Sequence, residues 1–347
     1  MVVFRYREIN DPIMEGKNER FSVKLLRITI RYAVRVFGLK TGVCFLSVFL
    51  FIIRILGRSF QQGVYLAQTN RFRLKSLIFF RKNDLEGFLK EKKQWLKYVL
   101  KNSKSCSERD VATDYLRLLG EDINGDISNK VCNSKDGFFN KVLDGKKFYV
   151  FGPNAAFPPS KKYIDYTLVL TKFPSFDLKE FEDCFLFLNF YTYSKLNSRE
   201  LEEISHAYTR VFVNADSKTT SESFTPLASL GGGNVASMSG LSRLMLTLKI
   251  LYPGSTYRIE GFDCYAKQTP YSGLISTYFP LNNYKETERL LSSSLFSHDP
   301  IYNFLKLQEI IKGENVSLDS ALHDILSYSP SGYFRRLAAV RRFDYAL

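Results

Sequence analysis

Side chains able to bind an anion are concentrated between residues 231 and 299. Ser237 and Ser239 follow a run of three glycines and precede an apolar helical repeat at residues 241–251, and Asp263 follows a short predicted strand. A serine hydroxyl caps the first free N–H groups of a helix, and a helix N-terminus is a favourable seat for a phosphate. The pattern predicts either a phosphate-binding site at the carboxyl edge of an α/β sheet or an ordinary α/β unit with a serine cap.

Three further residues in this stretch carry groups suited to proton transfer or to hydrogen bonding. Tyr265 and Tyr271 are six positions apart, and His298 is one of only three histidines in the chain. A histidine titrates near neutral pH and can act as a general base. Tyrosines in a chain that holds 21 of them also serve as core aromatics, so residue type alone leaves both roles open. His206 and His323 fall on predicted helices, which favours a structural or exposed position for both.

The order of these motifs resembles the bacterial sialyltransferases of glycosyltransferase family 42. That family has Thr-Ser-Gly before a helix, a strand that ends in Gly-(Ile/Phe)-Asp-Phe-Tyr, a second tyrosine six residues later and a downstream histidine. The matching residues here are Met238-Ser239-Gly240, Gly261-Phe262-Asp263-Cys264-Tyr265, Tyr271 and Ser297-His298. The resemblance extends over residues 146–318 and rests on the order and spacing of the motifs together.

Asparagines and a Gly-Pro pair at predicted strand ends extend the resemblance upstream. The segment from Phe148 to Asn154 is similar to the family's opening strand and nucleotide loop, and Asn189 and Asn214 stand where the family has strand-end asparagines. Side-chain amides at such positions can bind a base or a ribose, although asparagine is equally a turn former. The resemblance implies a nucleotide site made of Gly152, Pro153, Asn154, Asn189, Asn214, Ser237, Ser239, Gly240 and Asp263.

The resemblance also implies an inverting transfer of sialic acid or a related acidic sugar from a CMP-linked donor. Tyr265 and Tyr271 would hydrogen-bond the leaving phosphate, and His298 would take the proton from the acceptor hydroxyl. A single departing phosphate requires no metal ion or other cofactor, and the chain has no Asp-x-Asp motif to hold a metal. Because Met238 and Phe151 replace the family's threonine and asparagine, CMP-Kdo and other CMP-linked nonulosonic acids are alternative donors.

The elements that must position these residues alternate between strand and helix from residue 146 onward. Strands are predicted at residues 148–151, 166–170, 185–190, 210–213 and 257–262, and helices at 198–208, 241–251 and 300–311. Such alternation predicts an α/β fold with a doubly wound, mostly parallel, Rossmann-like sheet. The resemblance implies the sialyltransferase-type GT-A variant of that fold. The predicted domains are residues 1–60, a basic membrane-associating segment; 61–145, a helical basic region; and 146–347, the glycosyltransferase domain.

All of the excess positive charge lies in the N-terminal third. The net charge is +14, and residues 1–110 hold 23 Lys and Arg against 9 Asp and Glu, whereas the remainder holds 26 of each. Arg27, Arg31 and Arg35 form one stripe of a predicted helix, and an uncharged apolar run follows at residues 41–53. This run is shorter than the ~20 residues that span a bilayer. An interfacial helix on an anionic membrane is favoured, a short span and a buried hairpin remain open, and nucleic-acid binding is disfavoured.

Cysteine usage and the membrane pattern together predict the cellular location. The five cysteines are scattered without a C-x-x-C pair, which indicates reduced thiols and offers no zinc framework. We expect a peripheral protein on the cytoplasmic face of a bacterial inner membrane, with a lipopolysaccharide, lipooligosaccharide or capsule glycan as acceptor. The alternatives are an enzyme of the same fold with another nucleotide sugar, and a non-catalytic membrane scaffold in which His298 and the two tyrosines are packed side chains.

Overall fold

The computed structural model describes residues 44, 47–48, 61–123, 143–153, 155, 159–171, 173, 178, 180–188, 193, 196–213, 224–227, 235–236, 238–264, 266, 299–313 and 315–340. The chain divides into two compact units, with the boundary between Ile78 and Phe79. Helix α1 (Gln61–Arg81) runs across that boundary. In the first unit, the Ser76 hydroxyl donates to the Phe72 carbonyl over 3.0 Å within this helix. The domain boundaries expected from composition stay predictions.

Seven strands of the second unit form one sheet. They are β1 (Lys147–Phe151), β2 (Thr167–Leu170), β3 (Cys184–Leu188), β4 (Arg210–Val213), β5 (Phe224–Pro226), β6 (Thr256–Glu260) and β7 (Val316–Leu318). Their order is β5-β4-β3-β2-β1-β6-β7, and every neighbouring pair is parallel. The prediction of a parallel, Rossmann-like α/β sheet is therefore confirmed at the level of the fold class.

The chain reverses its direction of travel across the sheet at β1. Strands β1 to β5 are added outward on one side, and β6 then returns to the other side of β1, in register from Lys147 opposite Thr256 to Phe151 opposite Glu260. Such a reversal opens a crevice beyond the carboxyl ends of the two strands, where α/β proteins bind ligands. The carboxyl ends of β1 and β6 are therefore the place where a functional site is expected.

Helices of the second unit begin with a hairpin ahead of the sheet. They are α2 (Leu85–Asn102), α3 (Cys106–Leu118), α4 (Ser198–Ala207), α5 (Gly240–Leu251), α6 (Pro300–Ile310), α7 (Ser320–Leu326) and α8 (Pro330–Val340). Helix α1 is separated from α2 at Asn83, which has a φ of 55°, and Asp84 caps α2 by accepting from the Gly87 N–H over 2.9 Å. In the described ranges no helix is both long and apolar enough to cross a bilayer.

Aromatic side chains form the core on one face of the sheet. The Phe148 ring stacks on Tyr257 at 5.6 Å and contacts Phe185 at 5.9 Å, and Tyr252 at the end of α5 covers Phe148 at 5.0 Å. Phe185 continues the cluster to Phe212 on β4. Large aromatic surfaces removed from water are the main driving force for this packing. The uninterrupted apolar strands of the sequence are thus buried central strands.

Predicted and observed elements differ chiefly at the edges of the sheet. The five predicted strands and three predicted helices are present, with ends shifted by one or two residues where those ends are described. The edge strands β5 and β7 were not predicted, since three residues are too few to show a period of two. The predicted strand at residues 185–190 ends at Leu188, and Asn189 lies outside the described residues.

Candidate active site

Two glycines follow the carboxyl ends of β1 and β6 and bring the two chain segments close together. The Gly152 N–H donates to the Glu260 carbonyl over 2.7 Å, and a Cβ at Gly152 would overlap the carbonyl of Gly261. Gly261 itself has a φ of +79°, and a Cβ there would overlap the backbone of Ala155. Only glycine permits this close approach with a left-handed backbone. Gly152, expected in the nucleotide site, thus lies at the predicted edge and also has a packing role.

Asp319 fixes the end of β6 from the other side. Its carboxylate accepts from the Gly261 N–H over 2.7 Å and from the Leu322 N–H over 2.7 Å, so that one side chain joins the strand end to the start of α7. Asp319 is not among the site residues predicted from the sequence. The sequence shows Asp319 only as an N-cap residue before a short helix. That local pattern does not reveal the contact with Gly261.

Asp263, predicted to contact the nucleotide, lies in the loop that follows β6. It is 3% exposed, and its carbonyl accepts from the Ala266 N–H over 2.8 Å. Its neighbour Cys264 has a φ of 45°, and burial, with smaller contributions from Asp263 and Asp319, raises the pKa of the Cys264 thiol to about 12. The loop is therefore an ordered turn with a buried carboxylate and a neutral thiol.

Helix α8 holds this loop on both sides of Tyr265. The Tyr333 hydroxyl donates to the Cys264 carbonyl, and the Arg336 Nε donates to the Ala266 carbonyl over 3.2 Å. The Tyr333 ring in turn stacks on Phe304 of α6, with 4.0 Å between ring centroids and a 3° interplanar angle. Cys264 and Ala266 are thereby tied to α6 through α8.

The N-terminus of α5 carries two more of the predicted nucleotide contacts. Ser239 caps the helix by accepting from the Ser242 N–H over 3.4 Å, and a Cβ at Gly240 would come within 2.8 Å of the Phe187 ring. The N–H groups of Gly240 and Leu241 belong to the first turn, which has no intrahelical acceptor for them, and they form no hydrogen bond to a described residue. Two such N–H groups are suited to bind an anion.

A single carboxamide joins the N-terminus of α5 to that of α6. The Asn303 Oδ1 accepts from the Ser239 N–H, and the Asn303 Nδ2 donates to the Asp299 carbonyl over 2.9 Å. Asp299 follows His298 directly in the chain. The fold therefore brings Ser239 and Gly240 near the backbone next to His298, although 59 residues of sequence separate Ser239 from His298.

Asp299 is anchored in a buried polar network. It caps α6 by accepting from the Ile301 and Tyr302 N–H groups over 3.0 and 3.2 Å. It also accepts from the Tyr115 hydroxyl over 3.1 Å and forms an ion pair with Lys92, and both charged side chains are fully buried. The hairpin of α2 and α3 thus holds the residue that follows His298.

A second carboxylate extends the network along α6. Asp114 accepts from the Tyr302 hydroxyl over 2.9 Å and from the Lys306 ammonium over 3.1 Å. Burial, reinforced by the neighbouring carboxylates, raises the pKa of the Tyr115 and Tyr302 phenols well above the usual value. Both phenols therefore stay protonated as donors. Glu309 forms an ion pair with Lys306 over 2.8 Å.

Seven of the predicted site residues lie outside the described residues. They are His298, Tyr265, Tyr271, Asn154, Asn189, Asn214 and Ser237. The alternative histidines, His206 and His323, are both exposed on helices, as the sequence indicated. Among the residues with described positions, no cluster of His, Cys, Asp or Glu could hold a metal ion.

The fold defines the class of protein: an α/β protein with a seven-stranded, all-parallel sheet of Rossmann-like arrangement. No protein-family model matches the sequence, and no significant similarity was found to a curated protein or to a solved structure.

Proposed function

We propose that the protein is a metal-independent, inverting glycosyltransferase that moves sialic acid or a related acidic sugar from a CMP-linked donor. The observation that carries the proposal is the Asn303 bridge, because it joins the cap of α5 to the residue after His298. The Ser239 cap, which is assigned to the nucleotide, is thereby linked through Asn303 to Asp299, the residue that follows the proposed base in the sequence. The close approach of Gly152 and Gly261 at the reversal of strand order also supports it.

The proposed chemistry divides among three parts of the site. The N–H groups of Gly240 and Leu241 bind the nucleotide phosphate, and Tyr265 and Tyr271 donate hydrogen bonds to it as it leaves. His298 removes the proton from the acceptor hydroxyl as that oxygen attacks the anomeric carbon. The buried ion pair of Asp299 with Lys92 supports this assignment, because it holds the residue that follows the proposed base in the sequence.

The acceptor is proposed to be a cell-surface glycan, such as a lipopolysaccharide, a lipooligosaccharide or a capsule chain. Residues 1–60 would attach the enzyme to the anionic cytoplasmic face of the inner membrane, where such glycans are assembled on lipid. Arg27, Arg31 and Arg35 and the uncharged run at residues 41–53 support this part of the proposal.

The first test is hydrolysis of CMP-sialic acid and CMP-Kdo, each incubated with the wild-type protein, with His298→Ala and with His323→Ala. We expect wild type to release CMP from one donor and His298→Ala to be slower by a factor of about 10²–10⁴, because a general base is removed. His323→Ala should match wild type, since His323 is exposed on α7.

Calorimetric titration with CMP distinguishes a variant that has lost only catalysis from one that has lost its folded nucleotide site. Both variants should bind CMP as wild type does, because neither residue is assigned to the nucleotide. No CMP release from either donor, together with no CMP binding by wild type, would overturn the proposal and favour the scaffold alternative.

A further inference from the structure

Helix α2 presents two very different faces. Phe88, Trp95, Leu96 and Val99 are buried against the rest of the second unit. On the opposite side, lysines recur every three or four residues and their side chains reach solvent. The exposed lysines of this side are Lys90, Lys97 and Lys101, and the exposed Lys104 follows in the turn that leads to α3; we call these four lysines the α2 basic face.

The α2 basic face carries more positive charge than its neighbours balance. Lys97 shares the Glu121 carboxylate with the half-buried Lys93, at 2.6 and 2.8 Å. Glu86 also lies beside this face, and Glu86, Lys90 and Lys97 help to line an open depression there. Within the described part of the chain, Lys90, Lys101 and Lys104 form no ion pair. Three ammonium groups along this face are therefore available to an anionic partner.

We propose that the α2 basic face binds the headgroups of an anionic phospholipid surface. Charge complementarity supports it, because basic residues close to such a surface attract it strongly at low ionic strength. The same chain carries the uncharged apolar run at residues 41–53, which suits a bilayer and not a nucleic acid.

This inference does not depend on the proposed transferase activity. It concerns binding to a lipid surface, whereas the proposed chemistry takes place at the carboxyl ends of β1 and β6. An assay with a soluble donor measures the transferase chemistry without any membrane. The two proposals can therefore fail separately.

The test measures partition of the full chain onto vesicles of phosphatidylcholine alone and of phosphatidylcholine with about 30% phosphatidylglycerol. Lys90, Lys101 and Lys104 are changed together to glutamine. The matched control changes Lys161, Lys162 and Lys312, which are equally exposed and equally many, to glutamine. Thermal unfolding of all three proteins verifies that they are folded.

We expect the Lys90, Lys101, Lys104 variant to bind the anionic vesicles about 100-fold more weakly than wild type, and the control to bind as wild type does. Raised salt should remove the difference, because exposed charges are screened. Equal binding by the two variants, whether retained or lost, would overturn the proposal, since the location of the charge would then be irrelevant. Binding of the same proteins to duplex RNA is measured in parallel. If the Lys90, Lys101, Lys104 variant lost binding to RNA but kept its binding to vesicles, the proposal would also be overturned.

Discussion

Gly261 is the residue at which β6 turns into the loop that carries Tyr265. Its left-handed φ and its contact with the Ala155 backbone impose two separate requirements. Gly254 has almost the same φ, +80°, but an added Cβ there would meet no atom within 4 Å. Comparing alanine substitutions at Gly261 and Gly254 therefore separates the free-energy cost of left-handed backbone strain from the cost of steric overlap with Ala155.

We predict that Gly261→Ala lowers the free energy of unfolding by roughly 2–5 kcal/mol, through left-handed strain and steric overlap together. Gly254→Ala should cost about 1–2 kcal/mol, from the strain alone. Urea unfolding of both variants, followed by circular dichroism, measures the difference. Equal destabilisation would show that the approach to Ala155 does not constrain the crevice.

At the scale of elements, α6 is positioned by the hairpin of α2 and α3. The Lys92 ammonium lies 4.5 Å from the Trp95 ring centroid and pairs with Asp299, and both charges are shielded from water. A buried pair of this kind contributes little relative to an apolar replacement, but the loss of one partner leaves an uncompensated charge. The stability of the packing between the hairpin and α6 therefore depends on the Lys92–Asp299 pair.

We predict that Lys92→Met lowers the free energy of unfolding by about 3–5 kcal/mol, because Asp299 is left buried without its counter-charge. The double variant Lys92→Met, Asp299→Asn should recover part of this loss, since asparagine keeps the helix cap and removes the charge. Chemical unfolding curves for the two variants test both statements.

The control for this prediction is Lys97→Met on the same helix. Lys97 pairs with Glu121 at the surface, so its loss should cost at most about 1 kcal/mol. If Lys92→Met proved no more costly than Lys97→Met, or if the added Asp299→Asn destabilised the protein further, the buried charge would not be the cause.

At the scale of the whole molecule, charge is divided sharply along the chain. Residues 1–110 carry the whole net charge of +14, and the region that holds the sheet is neutral. A local excess of positive charge acts on whatever surface it faces and is screened beyond about 10 Å at moderate salt. The charge of this protein is therefore a property of its N-terminal third.

We predict that deletion of residues 1–60 weakens binding to anionic vesicles by more than the Lys90, Lys101, Lys104 variant does, because it removes arginines and the apolar run together. Release of CMP from a soluble donor should be unchanged. Co-sedimentation with vesicles and the donor assay measure the two outcomes. A shortened protein that sediments like the full chain would contradict the role proposed for residues 1–60.

The sequence by itself determined the local elements and the class of the fold. Helix starts at Ser239 and Asp299, and the capping box of Asn197 with Glu200, depend on residues three positions apart. The buried strands are visible as apolar runs that alternate with helical repeats, and this alternation is sufficient to predict a parallel sheet. These features are local, so the sequence displays them directly.

Only the tertiary structure decided which distant residues support the candidate site. The contacts of Lys92 with Asp299, of Asn303 with Ser239 and of Tyr333 with Cys264 join residues that are 207, 64 and 69 positions apart. No local pattern marks a lysine, an asparagine or a tyrosine as a partner in such a contact, because the pairing depends on how the helices pack. The strand order has the same origin, since the position of β6 beside β1 follows from packing and not from the order of the strands in the chain.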